Sequence, residues 1–82
     1  MQTMNAGILI EWTEQLKPNV NQWYREKDGD DFLKITKDFR SPEEKVTYYK
    51  IVSYYDCDVR YRGISLAHAR AILKELTYRK AV

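Results

Sequence analysis

Apolar residues recur at helical spacing near the C-terminal end of the chain. Leu66, Ala69, Ile72, Leu73 and Leu76 fall on one stripe, with polar residues between them. Ser65 precedes the stripe as a good N-cap. Glu75 and Arg79 stand four apart in the favourable order, and Arg79 and Lys80 suit the negative end of the helix dipole. The pattern predicts a helix over residues 66 to 79.

Upstream the period changes from helical to alternating. Val, Thr, Tyr and Ile dominate residues 46 to 54, and "DVRYRGIS" alternates Val59 and Tyr61 with Arg60 and Arg62. Aspartates in "YDCD" supply a turn, so residues 46 to 54 and 59 to 64 read as a hairpin with Val59 and Tyr61 facing inward. "FLKITKDF" gives a further strand, with Leu33, Ile35 and Phe39 on its inner face. The turn "KDGDD" joins it to "VNQWYRE", a candidate fourth strand that also reads as a short helix. "SPEE" at 41 to 44 carries a helix-start signature, which competes with the strand beginning at Val46. Nine residues rich in β-branched and aromatic types outweigh it, and the four residues then serve as a connection between antiparallel strands.

At the N-terminus Leu9, Trp12, Leu16, Val20 and Trp23 follow a helical rhythm that Pro18 interrupts. A helix over about 6 to 16 is expected, although "GILIEWT" also alternates as a strand would. The whole predicts an α+β fold in one domain, residues 1 to 82. An antiparallel sheet of three to four strands carries the C-terminal helix on one face, with an N-terminal helix in addition. If that helix covers the second face of the sheet, the tyrosines are core; otherwise they are exposed.

Composition narrows the classes. Eighty-two residues, 44% hydrophobic and 32% charged, make one small globular domain rather than a disordered chain. The longest apolar run, "GILI", has four residues, against the ~18 of a membrane span. "MQTMNAG" lacks the basic start and apolar stretch of a signal peptide, and one cysteine cannot form an internal disulfide. An intracellular protein with no membrane partner is therefore expected. The net charge of +2 is unevenly spread: residues 1–33 hold three Lys or Arg against six acids, and residues 34–82 hold eleven against six. A basic C-terminal part suits an anionic partner.

Little in the chain supports catalysis. Cys57 lies between Asp56 and Asp58, whose charges oppose thiolate formation, and the sole histidine, His68, belongs to the predicted helix. One Cys and one His cannot build a structural zinc site. The clusters Asp56/Asp58 and Asp28/Asp30/Asp31 read as acid-capped turns; a calcium loop would need a differently placed glycine and a closing glutamate. Three scattered glycines form no phosphate loop. No enzyme activity, cofactor or metal is expected.

Binding is the better expectation. Five of seven tyrosines lie within residues 45–63. Strand parity places Tyr48, Lys50 and Tyr54 on one face and Tyr49, Ile51 and Tyr55 on the other. Tyrosine suits surfaces that are wet alone and buried in a complex, and Tyr with Arg is enriched in binding hot spots. The bland alternative is cross-strand pairing that only stabilises the sheet. Candidate binding residues are Tyr48, Lys50, Tyr54, Tyr55, Arg60 and Arg62, extended by Arg70 and Lys74 four apart on the helix. These imply a small non-enzymatic protein-binding module that inhibits or modulates a larger, nucleic-acid-handling assembly by occlusion. The alternative is direct nucleic-acid binding through the same basic and aromatic face.

In size and layout the chain resembles the short accessory proteins of phages and mobile elements, including inhibitors of CRISPR complexes, though no residue motif carries the likeness. Its order of elements is also similar to that of DNA-binding domains with a three-stranded sheet and one packed helix, as in some phage integrases, whose turn and strand signatures are not evident here.

Overall fold

A computed structural model describes residues 17–77. The elements are β1 (Tyr24–Arg25), β2 (Phe32–Ser41), β3 (Val46–Ser53), β4 (Val59–Ile64) and α1 (Leu66–Leu76). The four strands form one antiparallel sheet in the order β1-β2-β3-β4, and α1 packs against β2 and β3. The fold is α+β, as expected. The expected helix over 6 to 16 lies outside the described residues, as do positions 78 and 79 of the predicted C-terminal helix.

The helix forms where its stripe predicts. The Ser65 hydroxyl accepts the His68 amide at 3.1 Å and satisfies one of the unpaired donors of the first turn. Helical geometry ends at Leu76, because Thr77 is extended and forms an isolated bridge with Glu26. Leu33 and Ile35 from β2, Ile51 from β3, and Ala69 and Leu73 from α1 are buried and make the core. Val20, Tyr24, Tyr49, Ile64, Leu66, Ile72 and Leu76 pack around them. One face of the sheet is thus the core face, and the other carries no helix among the described residues.

"SPEE" is a connection, yet its capping chemistry is present. The Ser41 hydroxyl accepts the Glu44 amide at 3.2 Å, and the Ser41 carbonyl accepts Lys45 N at 2.7 Å. Lys45, at φ 58°, then turns the chain back into β3. A left-handed residue ends a helical turn, so the signal yields a single turn.

Two expectations about side-chain direction are corrected. Between Lys37 and Phe39 the register of β2 against β3 shifts, leaving Asp38 unpaired as a bulge. One extra residue inverts the alternation that follows. Phe39 therefore lies opposite Tyr48 on the helix-free face, 48% exposed, and not in the core. The pairing of β4 slips twice, so that Val59 lies opposite Val52 and Tyr61 opposite Ile51. Val59 and Tyr61 do not share a buried face, and Tyr61 is 40% exposed. Gly63 takes φ 64° within this irregular strand, a conformation costly to any residue with a Cβ. The bulges of β2 and β4 are tied together, because the Asp38 carboxylate accepts the Gly63 amide at 2.9 Å.

"VNQWYRE" is neither a full strand nor a helix. Asn21 at φ 66° donates its amide to the Ile35 carbonyl at 2.7 Å, and only Tyr24 and Arg25 pair with β2.

Candidate functional site

On the helix-free face, β2 presents Phe32, Lys34 and Thr36, and past the bulge Phe39. The alternate residues of β3 are Tyr48, Lys50 and Val52, followed by Tyr54 in the turn. Strand ends bring four rings together where β1, β2 and the 54–58 turn meet. Trp23 and Tyr54 pack edge to face with centroids 5.1 Å apart, and Tyr54 meets Tyr55 at 5.3 Å and Phe32 at 6.2 Å. Phe32 and Tyr55 lie 6.5 Å apart, and the four rings line an open depression of about 350 Å³. Tyr54 is 52% exposed and Tyr55 65%. At the other end, Phe39 stacks on Tyr48 at 5.1 Å. Lys34 holds its ammonium 4.6 Å from the Trp23 ring centroid, and Lys50 lies opposite Thr36 between the two aromatic groups.

The turn that carries Tyr54 and Tyr55 is fastened from beneath by Asp31. One oxygen of its carboxylate accepts the Tyr55 amide at 3.1 Å and the Phe32 amide at 2.8 Å. The other accepts the hydroxyl of buried Ser53 and the Arg60 guanidinium, the latter at 3.3 Å. Arg60 also reaches Asp56 at 3.1 Å. The Ser53 hydroxyl, followed by the Tyr55 and Phe32 amides and Arg60, holds the Asp31 carboxyl below its usual range. Tyr48 donates its hydroxyl to Glu44 at 2.6 Å, and this bond pushes the phenol upward.

The eight candidate residues therefore separate into three groups. Tyr48, Lys50, Tyr54 and Tyr55 meet on one side of the sheet. Tyr55 joins Tyr54, although strict alternation sets them apart, because β3 ends at Ser53 and the turn redirects the chain. Arg60 and Arg62 belong to the edge strand. Arg60 is engaged by two carboxylates, while Arg62 is exposed and forms no ion pair among the described residues. Arg70 and Lys74 lie on α1, which covers the opposite face of the sheet, and Arg70 donates to the Pro18 carbonyl at 3.1 Å. Sequence reasoning missed Trp23, Phe32, Lys34 and Phe39. For Phe32 and Lys34 the signal was available, since both alternate with buried Leu33 and Ile35.

Cys57 is exposed, in the turn, at φ 58°. Among the described residues, no three His, Cys, Asp or Glu side chains are grouped to hold a metal ion. No helix among them is long and apolar enough to cross a membrane. Comparison with known proteins returned no match to a family model, a curated protein or a solved structure.

Proposed function

We propose that the protein is a non-enzymatic binding module whose helix-free sheet face docks onto a protein partner. In this reading it inhibits or modulates a larger, nucleic-acid-handling assembly by occlusion. The supporting observation is the cluster in which exposed Trp23, Tyr54 and Tyr55 pack with one another and with half-buried Phe32. Rings already held by their neighbours lose little conformational freedom on binding, and Trp and Tyr are the side chains that dominate interface energetics. The same packing disfavours a single-stranded nucleic acid at this end. Stacking on bases requires free ring faces with cations alongside. Here the rings meet edge to face, Lys34 sits over Trp23, and Arg60 is engaged by Asp31 and Asp56.

Direct nucleic-acid binding is the second reading, favoured by the stacked Phe39–Tyr48 pair on the same face as Lys50. Salt separates the two, because phosphate contacts release counterions and give a steep loss of affinity with ionic strength. The test is affinity capture with and without nuclease, followed by titration of the captured partner. The double variant Tyr54→Ala/Tyr55→Ala should bind at least about a hundredfold more weakly while remaining folded. Undiminished binding by that folded variant rejects the face as the docking surface.

A further inference from the structure

The depression lined by Trp23, Phe32, Tyr54 and Tyr55 is walled by inclined rings. Tyr54 stands at 86° to Trp23 and at 78° to both Phe32 and Tyr55. Rings so inclined enclose a corner rather than pave a flat platform. Ring faces carry the negative side of the aromatic quadrupole, so a compact cation gains more from such walls than plain apolar burial provides. We propose that the depression receives a lysine-type ammonium carried by the protein partner. The inference rests on the docking reading above and adds the partner's chemistry to it.

Two observations select a cation. The first is internal to the molecule. The Lys34 ammonium lies 4.6 Å from the Trp23 centroid, within the ~6 Å range of cation–π attraction, so the cluster already attracts one cation. Lys34 is not among the residues that line the depression, whereas Tyr54 and Tyr55, which do, are well exposed.

The second is charge. The turn leading into β2 and the turn leading out of β3 lie at the same end of the sheet, and the depression sits between them. Residues 26–31 and 54–58 hold six carboxylates: Glu26, Asp28, Asp30, Asp31, Asp56 and Asp58. The cations beside them are Arg25, Lys27, Lys34 and Arg60, so six negative charges stand against four positive. Arg25 pairs with Asp30, and Arg60 with Asp31 and Asp56; Asp28 and Asp58 form no ion pair among the described residues. Because Asp31 accepts the Phe32 and Tyr55 amides, one carboxylate is fixed directly behind two of the lining residues. This end therefore runs against the basic bias of the later part of the chain. A positively charged group is drawn to it, and an anionic one is repelled.

The probe is the capped tripeptide acetyl-Gly-Lys-Gly-amide, with norleucine and glutamate counterparts, titrated into the isotope-labelled full-length chain and followed by NMR. The lysine peptide should give saturable shifts at the Phe32, Tyr54 and Tyr55 amides and the Trp23 indole. The neutral norleucine peptide should bind at least about threefold more weakly. Lys34→Met removes the competing cation at similar side-chain length, and should strengthen binding of the lysine peptide about threefold; an anionic ligand would respond in the opposite sense. Tyr54→Leu with Tyr55→Leu keeps apolar bulk without aromatic faces, and should weaken binding at least about fivefold with far-ultraviolet circular dichroism unchanged. If that variant does not fold, Lys34→Met and the norleucine comparison decide alone. Equal binding of the lysine and norleucine peptides overturns the inference. So does preference for the glutamate peptide at these residues, or a folded Lys34→Met variant that binds the lysine peptide no better. If the lysine peptide fails to bind while Tyr54→Ala/Tyr55→Ala still weakens capture of the partner, this inference falls and the docking reading stands. Undiminished capture by that folded variant rejects the docking reading itself.

Discussion

Replacing Asp31 with Ala tests the physical account of the candidate site most directly. The carboxylate is 14% exposed and accepts from the Ser53 hydroxyl, two backbone amides and Arg60. These contributions are unequal. Ser53 is 1% exposed, so its hydroxyl would be left buried without that acceptor, at about 1–3 kcal/mol. The Tyr55 amide and the Arg60 guanidinium face water and can recover most of their loss, so together they add about 1 kcal/mol. The expected destabilisation is about 2–4 kcal/mol at neutral pH, read from urea unfolding as a fall in midpoint at constant slope. Asp31→Asn should cost less, because the amide keeps one acceptor oxygen. Combining Asp31→Ala with Ser53→Ala should cost less than the sum of the two, with a coupling of about 1–2 kcal/mol, since each variant alone orphans the other's partner. The sign of the pH effect follows from the lowered carboxyl. The native state favours the ionised form, so the stabilisation is fully present above the ordinary value of 3.8 and is lost as pH falls through the lower native value. The difference between parent and Asp31→Asn should therefore shrink below about pH 4. A cost under about 0.5 kcal/mol at pH 7 would refute the view that Asp31 fastens the turn.

Other consequences are simpler to measure. Leu73→Ala should destabilise the protein by about 2–5 kcal/mol in the same unfolding experiment, because the side chain is fully buried between helix and sheet. Gly63→Ala should cost about 1–2 kcal/mol through its left-handed backbone, while the nearest side-chain atom, on Phe39, is at an ordinary 3.9 Å from the new Cβ. Cys57→Ser should leave binding and melting temperature unchanged, since the side chain is exposed in a turn. Charge reversal at Arg62 should weaken partner binding without loss of fold. Reversal at Arg60 should also lower the melting temperature, because it places a third negative charge beside Asp31 and Asp56.

The elements legible in the sequence are those whose period is uninterrupted. The stripe from Leu66 to Leu76 and the alternation of Leu33 and Ile35 with polar neighbours locate the core without further information. Reading fails where one residue is inserted into a strand. Nothing local marks Asp38 as a bulge; its stabilising partner, the Gly63 amide, is 25 residues away. The direction of Phe39 follows from that contact. The role of Arg60 is hidden for the same reason, since one of its two carboxylates lies 29 positions earlier in the chain. Tyr54 and Tyr55 were recognisable as candidates from their density alone. Their meeting with Trp23 and Phe32 depends on how the strand ends converge, which no spacing encodes.

The irregularity of β4 has a bearing on colloidal behaviour. It is the last strand of the sheet among the described residues, and the outer side of such a strand offers backbone groups as the template on which sheets of neighbouring molecules grow into fibrils. Two register slips, a left-handed glycine and the flanking arginines make that border uneven and positively charged. The opposite border is guarded in a similar way: β1 pairs with β2 only at Phe32 and Leu33, and beyond it come Lys37, the Asp38 bulge and Arg40. Borders of this kind disfavour edge-to-edge polymerisation, so the partner proposed above would approach broadside, onto the aromatic rings.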